Sequence, residues 1–113
     1  MTKGYKFYID EKDNLFYFGL YPNNSNFEEI GRSNGFETYK SAFENLTKFR
    51  TLLKKGEDIF EIKNIERKFV FMLKKNEFSL QFYRVKSYYQ LRNCKKAITQ
   101  IIENIDAPLL ERS

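Results

Sequence analysis

The pentapeptide Phe16-Tyr17-Phe18-Gly19-Leu20 decides the fold of this chain, because a matching stretch, Phe69-Val70-Phe71-Met72-Leu73, occurs in its second half. Both stretches alternate their side chains at period two, which is typical of strands in a half-buried sheet. Around each lies the same order of elements: a strand before it, a turn and a strand after it, and then a helix. The pattern indicates one β-β-β-α unit used twice.

The first unit covers about residues 5–56. Strands are predicted at residues 5–9, 15–21 and 27–33, with a bend at 10–14 and a Pro/Asn/Ser-rich turn at 22–26. Thr38 is a predicted N-cap, and the helix after it runs to about residue 55. Its apolar stripe comprises Tyr39, Ala42, Phe43, Leu46, Phe49, Leu52 and Leu53, and Gly56 is typical of a residue that ends a helix.

The second unit covers about residues 57–113. Strands are predicted at residues 59–63, 68–74 and 78–85, with a bend at 64–67, a helix at 90–104 and a short terminal strand at Leu109 and Leu110. Neither unit can bury an apolar sheet face alone. The sequence therefore predicts a single α+β domain over residues 1–113: two tandem β-β-β-α units sharing one antiparallel sheet, with two helices on one face.

The composition excludes several classes of function. The sequence has no histidine and one cysteine, Cys94, which removes the usual general base, an internal disulfide and a thiolate metal cluster. The net charge of +5 is spread over both halves. Neither an apolar signal core at the N-terminus nor a bilayer-spanning run is apparent. We expect a soluble cytoplasmic protein with no membrane partner, no metal and no cofactor.

Three segments in this order resemble the YegP-like family, a small bacterial and archaeal domain of unknown function. They are Phe7-Tyr8-Ile9, then Phe16-Tyr17-Phe18-Gly19-Leu20, then Ile30-Gly31-Arg32-Ser33-Asn34-Gly35-Phe36 before a helix. Phe36 stands where the family usually has Tyr, and Val85 stands for its Ser in the second copy. The resemblance implies tandem units on one antiparallel sheet, with the strand after each helix exchanged between units. It implies no activity.

A basic cluster near the start of the second helix is a candidate anion site. It consists of Arg84, Lys86, Arg92, Lys95 and Lys96, and its thinner counterpart in the first unit is Arg32 and Lys40. Cations at the positive end of a helix dipole are mildly unfavourable. Their presence there indicates an anion-binding role, because the free N–H groups of the first turn and nearby cations both bind anions. The alternative is a solvated helix face.

The sheet face away from the helices is the second candidate surface. It is predicted to carry Tyr8, Tyr17, Val70, Met72 and Tyr83, flanked by Lys6 and Lys63. Aromatic side chains beside cations can stack single-stranded bases. The same face could instead contact a protein partner or form a homodimer.

Catalysis has weaker support. The acidic pairs Glu28-Glu29 and Asp10/Asp13 fit solvated carboxylates, and Cys94 lies on an apolar helix stripe. We therefore expect no enzyme. The sequence favours a small non-enzymatic binding or interaction module, with weak, sequence-tolerant nucleic-acid binding through the basic cluster and the sheet aromatics as the alternative.

Overall fold

A computed structural model describes residues 4–22 and 28–111. Over those residues the chain forms six strands, two α-helices and one 3₁₀ turn at Glu57–Ile59. The strands are β1 (Lys6–Lys12), β2 (Leu15–Tyr21), β3 (Gly31–Ser33), β4 (Phe60–Ile65), β5 (Lys68–Leu73) and β6 (Phe82–Tyr83), and the helices are α1 (Tyr39–Leu53) and α2 (Leu91–Glu103). All strands pair antiparallel in the order β1-β2-β3-β6-β5-β4. The predicted α+β class and antiparallel sheet are confirmed.

The two hairpin bends are shorter than the sequence predicted. Each is a two-residue turn rather than the four or five residues expected at 64–67 and 10–14. The turn residues and their φ angles are Asp13 (55°), Asn14 (65°), Glu66 (51°) and Arg67 (67°). Two consecutive positive φ angles are typical of the tight hairpin turn whose twist matches that of the strands. Strands β1 and β4 therefore continue through residues that the sequence assigned to the bends.

The third strand of each half is also shorter than predicted, at three residues in β3 and two in β6. Residue 27 of the first predicted strand, and residues 23–26 of the turn predicted before it, lie outside the described residues. In the second half, Asn76 organises the loop instead. Its Oδ1 accepts the N–H groups of Phe78 and Leu80, both at 3.1 Å, and its Nδ2 donates to the Leu80 carbonyl at 2.8 Å. These bonds replace a sheet ladder over residues 78–81.

Both helices begin within one residue of the prediction, and Thr38 is the N-cap of α1. Its hydroxyl oxygen accepts the Ser41 N–H at 3.0 Å, which satisfies one of the free donors of the first turn. The predicted stripe of α1 is too wide, since Tyr39 and Phe43 are 44% and 49% exposed. Phe43 lies about 100° round the helix from buried Ala42, so it turns away from the sheet.

The core lies between the helices and one face of the sheet, which we call the core-side face. Phe82 of β6 lies at its centre, with its ring centroid 4.3 Å from that of Phe49 on α1 and 6.0 Å from that of Phe18 on β2. All three side chains are fully buried, and so is Cys94 on α2. Aromatic residues from both halves of the sheet therefore pack against one another in a single core.

The segment after α2 returns to the first strand. The Phe7 N–H donates to the Pro108 carbonyl at 2.8 Å, and the Leu110 N–H donates to the Phe7 carbonyl at 2.9 Å. The predicted terminal strand is thus reduced to one parallel bridge between Phe7 and Leu109. This contact covers part of the outer edge of β1.

Candidate functional site

The face opposite the helices, which we call the open face, carries a row of side chains across the sheet. Cross-strand partners share a face, so the register fixes its members. The row runs through Tyr8, Gly19, Arg32, Tyr83 and Met72, each paired with the next. Tyr17, Val70, Lys6 and Lys63 lie on the same face. The structure thus places the three candidate tyrosines and Arg32 on one surface.

Gly19 leaves the space that organises the first half of this face. A Cβ at Gly19 would lie 3.2 Å from the Tyr21 ring and 3.5 Å from a Glu29 carboxylate oxygen. The Tyr21 hydroxyl lies 3.0 Å from both Glu29 Oε2 and Asp10 Oδ2, so its one proton is shared between two carboxylates. Burial, and then the two carboxylates, raise the pKa of Tyr21 well above its ordinary value.

Arg32 joins this network to the aromatic surface. Its guanidinium forms an ion pair with Glu29 and lies 4.9 Å from the centroid of the Tyr17 ring, a cation–π contact. Burial lowers the pKa of Arg32, but the hydrogen bond and charge of Glu29, together with Tyr17 and Tyr83, raise it overall. The Arg32 side chain is therefore a fixed, charged group between two tyrosines of the open face.

A second ion-pair cluster joins the two halves. Glu28, which precedes β3, pairs with Lys86 and lies 3.8 Å from the Arg84 guanidinium. The hydrogen bond from Lys86, with its charge, lowers the pKa of the Glu28 carboxyl. Arg84 also stacks on Tyr88, with its guanidinium carbon 4.2 Å from the ring centroid. The predicted basic cluster therefore contains two cations that already have an acidic partner.

The sequence predicts that Glu28 and Glu29 are solvated carboxylates, and this is wrong for Glu29, whereas the Glu28 side chain is 52% exposed. The Glu29 side chain is 9% exposed and bound to Tyr21 and Arg32, while Glu28 is the partner of Arg84 and Lys86. The three-residue spacing of Glu29 and Arg32 was a weak local signal for the ion pair between them. The pairs of Glu28 span more than fifty residues of sequence, and no local pattern indicates them.

The remaining basic candidates lie on the helix side of the molecule. Lys96, Arg84 and Glu29 line an open hollow of about 340 Å³ beside α2. Arg92 donates from Nε to the Gln90 side-chain oxygen at 3.0 Å. Lys95 and Lys40 are exposed on the first two turns of α2 and on the first turn of α1. The candidate residues therefore do not form one site. The tyrosines and Arg32 lie on the open face, Arg84 and Lys96 line the α2 hollow, and the other basic candidates of the helices do not line that hollow. Arg84 also lines a smaller hollow of about 140 Å³ together with Arg32 and Lys86.

Metal ligation and membrane insertion find no support within residues 4–22 and 28–111. No group of three or more acidic or cysteine side chains converges there as a metal-ligand set. In the same part of the chain, neither helix is long and apolar enough to cross a membrane.

Together these features describe a small α+β domain with a six-stranded antiparallel sheet over the described residues, and with an open face rich in tyrosine. The chain is similar to the protein of unknown function YegP from E. coli, with a TM-score of 0.79 and 22% identity over 96% of this chain and 93% of that one. It is also similar to a UPF0339 protein from Shewanella oneidensis, with a TM-score of 0.77 and 17% identity over 96% and 91%. No family model and no curated protein matches the chain.

These similarities confirm the YegP-like resemblance at the level of the fold. At 22% and 17% identity they carry the fold and no residue's role. YegP is described as a protein of unknown function, so the comparison supplies no ligand. The surfaces of this chain are therefore the basis for a functional inference.

Proposed function

We propose that the protein is a small non-enzymatic binding module, and that its binding surface is the open face around Tyr17, Arg32 and Tyr83. The observation that carries this proposal is the contact of the Arg32 guanidinium with the Tyr17 ring, directly beside Tyr83 in the neighbouring strand. A cation held between aromatic rings suits a ligand that is flat and anionic. Tyr83 is 36% exposed and is the most accessible of the three candidate tyrosines, Tyr8, Tyr17 and Tyr83.

The non-enzymatic interpretation is supported by how the carboxylates are used. Glu29 is bound to Tyr21 and Arg32, and Glu28 to Lys86, so each is held by a cation rather than poised as an acid or base. The sequence also lacks histidine. We further infer a cytoplasmic location, which is supported by the single, buried and unpaired Cys94.

We infer in addition that the domain consists of two tandem units, at about residues 5–56 and 57–113. Two antiparallel bridges at matching positions of the units support this: Phe16 with Phe36, and Phe69 with Tyr88. The strand order also supports two units, because β1-β2-β3 and β4-β5-β6 are arranged as mirror images with β3 beside β6 at the centre.

A nuclear magnetic resonance titration with a nucleoside monophosphate tests the main proposal, because this probe is flat and anionic. We expect the backbone amide shifts of Tyr17, Arg32 and Tyr83 to move together, and the Tyr83→Ala variant to lose this response. Tyr39→Ala is the matched control, since Tyr39 is 44% exposed and lies at the start of α1, where its ring contacts Phe16 of the core-side face. Shifts confined to the α2 hollow, or no shifts, would contradict the proposal.

Sequence-tolerant binding of single-stranded nucleic acid is a second candidate function. It is favoured by the interleaving of rings and cations, since Lys6 lies 5.9 Å from the Tyr8 ring centroid and Arg32 lies over Tyr17. Each stacked base contributes about 1–3 kcal/mol in such surfaces. A ligand that spans several strands should therefore bind more tightly than a mononucleotide.

Fluorescence anisotropy with a random single-stranded oligonucleotide pool tests the second candidate at low and at physiological salt. We expect the logarithm of affinity to fall linearly with the logarithm of salt concentration. Tyr83→Ala should weaken binding about 5- to 150-fold, which corresponds to the loss of one stacking contact. A loss in Arg92→Ala/Lys95→Ala, with Tyr83→Ala unchanged, would move the site to α2. No binding at low salt would end this candidate.

A further inference from the structure

The two outer strands of the sheet differ in how their edges are covered. The edge of β1 pairs with the chain's own segment at Pro108 and Leu110. Strand β4 lies at the opposite end of the sheet. Within the described part of the chain, no backbone hydrogen bond joins the outer edge of β4 to another segment. A strand edge of this kind is a template for pairing with another strand.

The register identifies the groups that this edge presents. The Lys74 N–H donates to the Ile59 carbonyl at 2.8 Å, so the backbone groups of Ile59 face β5. The backbone groups of Glu61 and Lys63, which are two and four residues further on, face β5 in the same way. The backbone groups of the alternate residues, Phe60, Ile62 and Asn64, therefore point outward. Three residues with outward N–H and C=O groups are enough for a short antiparallel ladder.

The side chains on this edge are complementary to themselves. Glu61 and Lys63 lie two residues apart on the open face, with Ile62 between them on the core-side face. In an antiparallel pair centred on Ile62, Glu61 of one copy lies opposite Lys63 of the second copy, and the reverse holds across the two-fold axis. We propose that β4 pairs antiparallel with β4 of a second copy of this chain, with Ile62 opposite Ile62.

The same charges select this register over its neighbours. Sliding the strands by two residues in one direction sets Glu61 opposite Glu61, and sliding them in the other direction sets Lys63 opposite Lys63. Like charges directly opposite are destabilising, whereas opposite charges stabilise a cross-strand pair. A one-residue slip would exchange the two faces of the strand. Lysine on an edge strand usually discourages pairing, but here the glutamate two residues before it provides its partner.

Pairing would join two sheets into one continuous sheet. It would cover Ile62, which is partly buried in the single chain and packs against the core. The interface consists of one strand from each copy, so the association should be weak. This inference does not depend on the proposed ligand, because β4 lies at the far edge from the Tyr17–Arg32 contact.

Sedimentation velocity at low salt, from about 10 µM to about 1 mM protein, measures this association. We expect a monomer–dimer equilibrium for the unchanged chain. Glu61→Lys and Lys63→Glu should each raise the dissociation constant about tenfold or more, since each sets like charges opposite each other. An equimolar mixture of the two variants should recover the dimer, because each supplies the charges that the other lacks.

Lys12→Glu is the matched control, because it makes the same charge change on β1 and should leave the dissociation constant unchanged. Circular dichroism of each variant verifies that the fold is kept. A monomer over the whole range would overturn the proposal. So would a dimer indifferent to Glu61→Lys and Lys63→Glu, or a mixture that fails to associate.

Discussion

The two halves of the sheet, β1–β3 and β4–β6, have the same backbone plan and different open faces. At matching register positions the first half has Tyr8, Tyr17 and Arg32, whereas the second has Glu61, Val70 and Tyr83. The first half is tied into a hydrogen-bonded network through Tyr21 and Glu29. The comparison teaches that a shared fold does not make the two halves equivalent as binding surfaces.

The core-side face shows a second difference, at Gly31 and Phe82. Gly31 lies opposite Leu20 in the first half, and Phe82 lies beside Leu73 in the second. A Cβ at Gly31 would lie 2.5 Å from the Phe82 ring, closer than van der Waals contact allows. The space between positions 31 and 82 holds one large ring, so Phe82 in the second half requires a glycine at position 31 in the first half.

The largest expected effect comes from breaking this match. Gly31→Ala should lower the free energy of unfolding by about 1–3 kcal/mol, because Phe82 is fully buried against Phe18 and Phe49 and has no room to move. Urea unfolding measures the change. In a Phe82→Leu background the cost should largely disappear, since leucine lacks the ring atoms that the new methyl group meets.

Gly56→Ala is the control for that coupling. Gly56 has a φ of 87°, and no neighbouring atom lies within 4 Å of the place where a Cβ would stand, so its substitution costs backbone strain alone. Its cost should be the same in both backgrounds, because distant sites are additive. If Gly31→Ala costs the same with Phe82 and with Leu at position 82, the proposed match between the halves is wrong.

A smaller effect is expected from the network of the first half. Tyr21→Phe removes the hydroxyl that Glu29 and Asp10 share, which should cost about 1–2 kcal/mol at neutral pH. The matching position in the second half is Lys74, which is exposed, so Lys74→Met should change stability by no more than about 0.5 kcal/mol. Equal effects at the two positions would contradict the asymmetry.

The pH dependence of Tyr21→Phe sharpens the same comparison. The pKa of Tyr21 is raised by burial and by the carboxylates of Glu29 and Asp10, so the folded state keeps a proton that the unfolded state loses above about pH 10. Its stabilising contribution is present below that pH and is lost as pH rises, at up to about 1.4 kcal/mol per pH unit. The difference between the unchanged chain and Tyr21→Phe should therefore shrink above about pH 10. A difference that stays constant from neutral pH to about pH 11 would refute this expectation.

The sequence predicted those parts of the fold that short-range patterns determine. Thr38 and the apolar period after it located α1, and the alternation of Phe16, Phe18 and Leu20 located β2 with both of its ends. The predicted lengths of β3 and β6 were wrong. In the second half, the side-chain bonds of Asn76 replace the ladder over residues 78–81, and no local periodicity predicts such bonds.

The candidate site was predictable only as two separate sets of residues. Alternation assigned Tyr8, Tyr17 and Tyr83 to one face, since strand parity is a local property. It did not assign the acidic partners, because Glu28 meets Lys86 across 58 residues of sequence. The sequence comparison of the two units treated Arg32 as the counterpart of the cluster that contains Arg84, whereas the register sets Tyr83 at the position matching Arg32. A one-residue difference between the halves thus moves Arg84 off the open face.

The smallest expected effect concerns the ion pairs between the halves. Lys86 lowers the pKa of the Glu28 carboxyl, so Lys86→Met should raise that pKa toward its ordinary value, as measured by a carboxyl ¹³C titration. The rise should be incomplete, because Arg84 still lies 3.8 Å away. Stability should hardly change, since both Glu28 and Lys86 are more than half exposed and water screens their attraction.

Lys55→Met is the control, because it removes the ion pair with Glu77 elsewhere in the molecule and should leave the Glu28 titration unchanged. An unaltered Glu28 pKa in Lys86→Met would mean that the two halves do not communicate through this pair in solution.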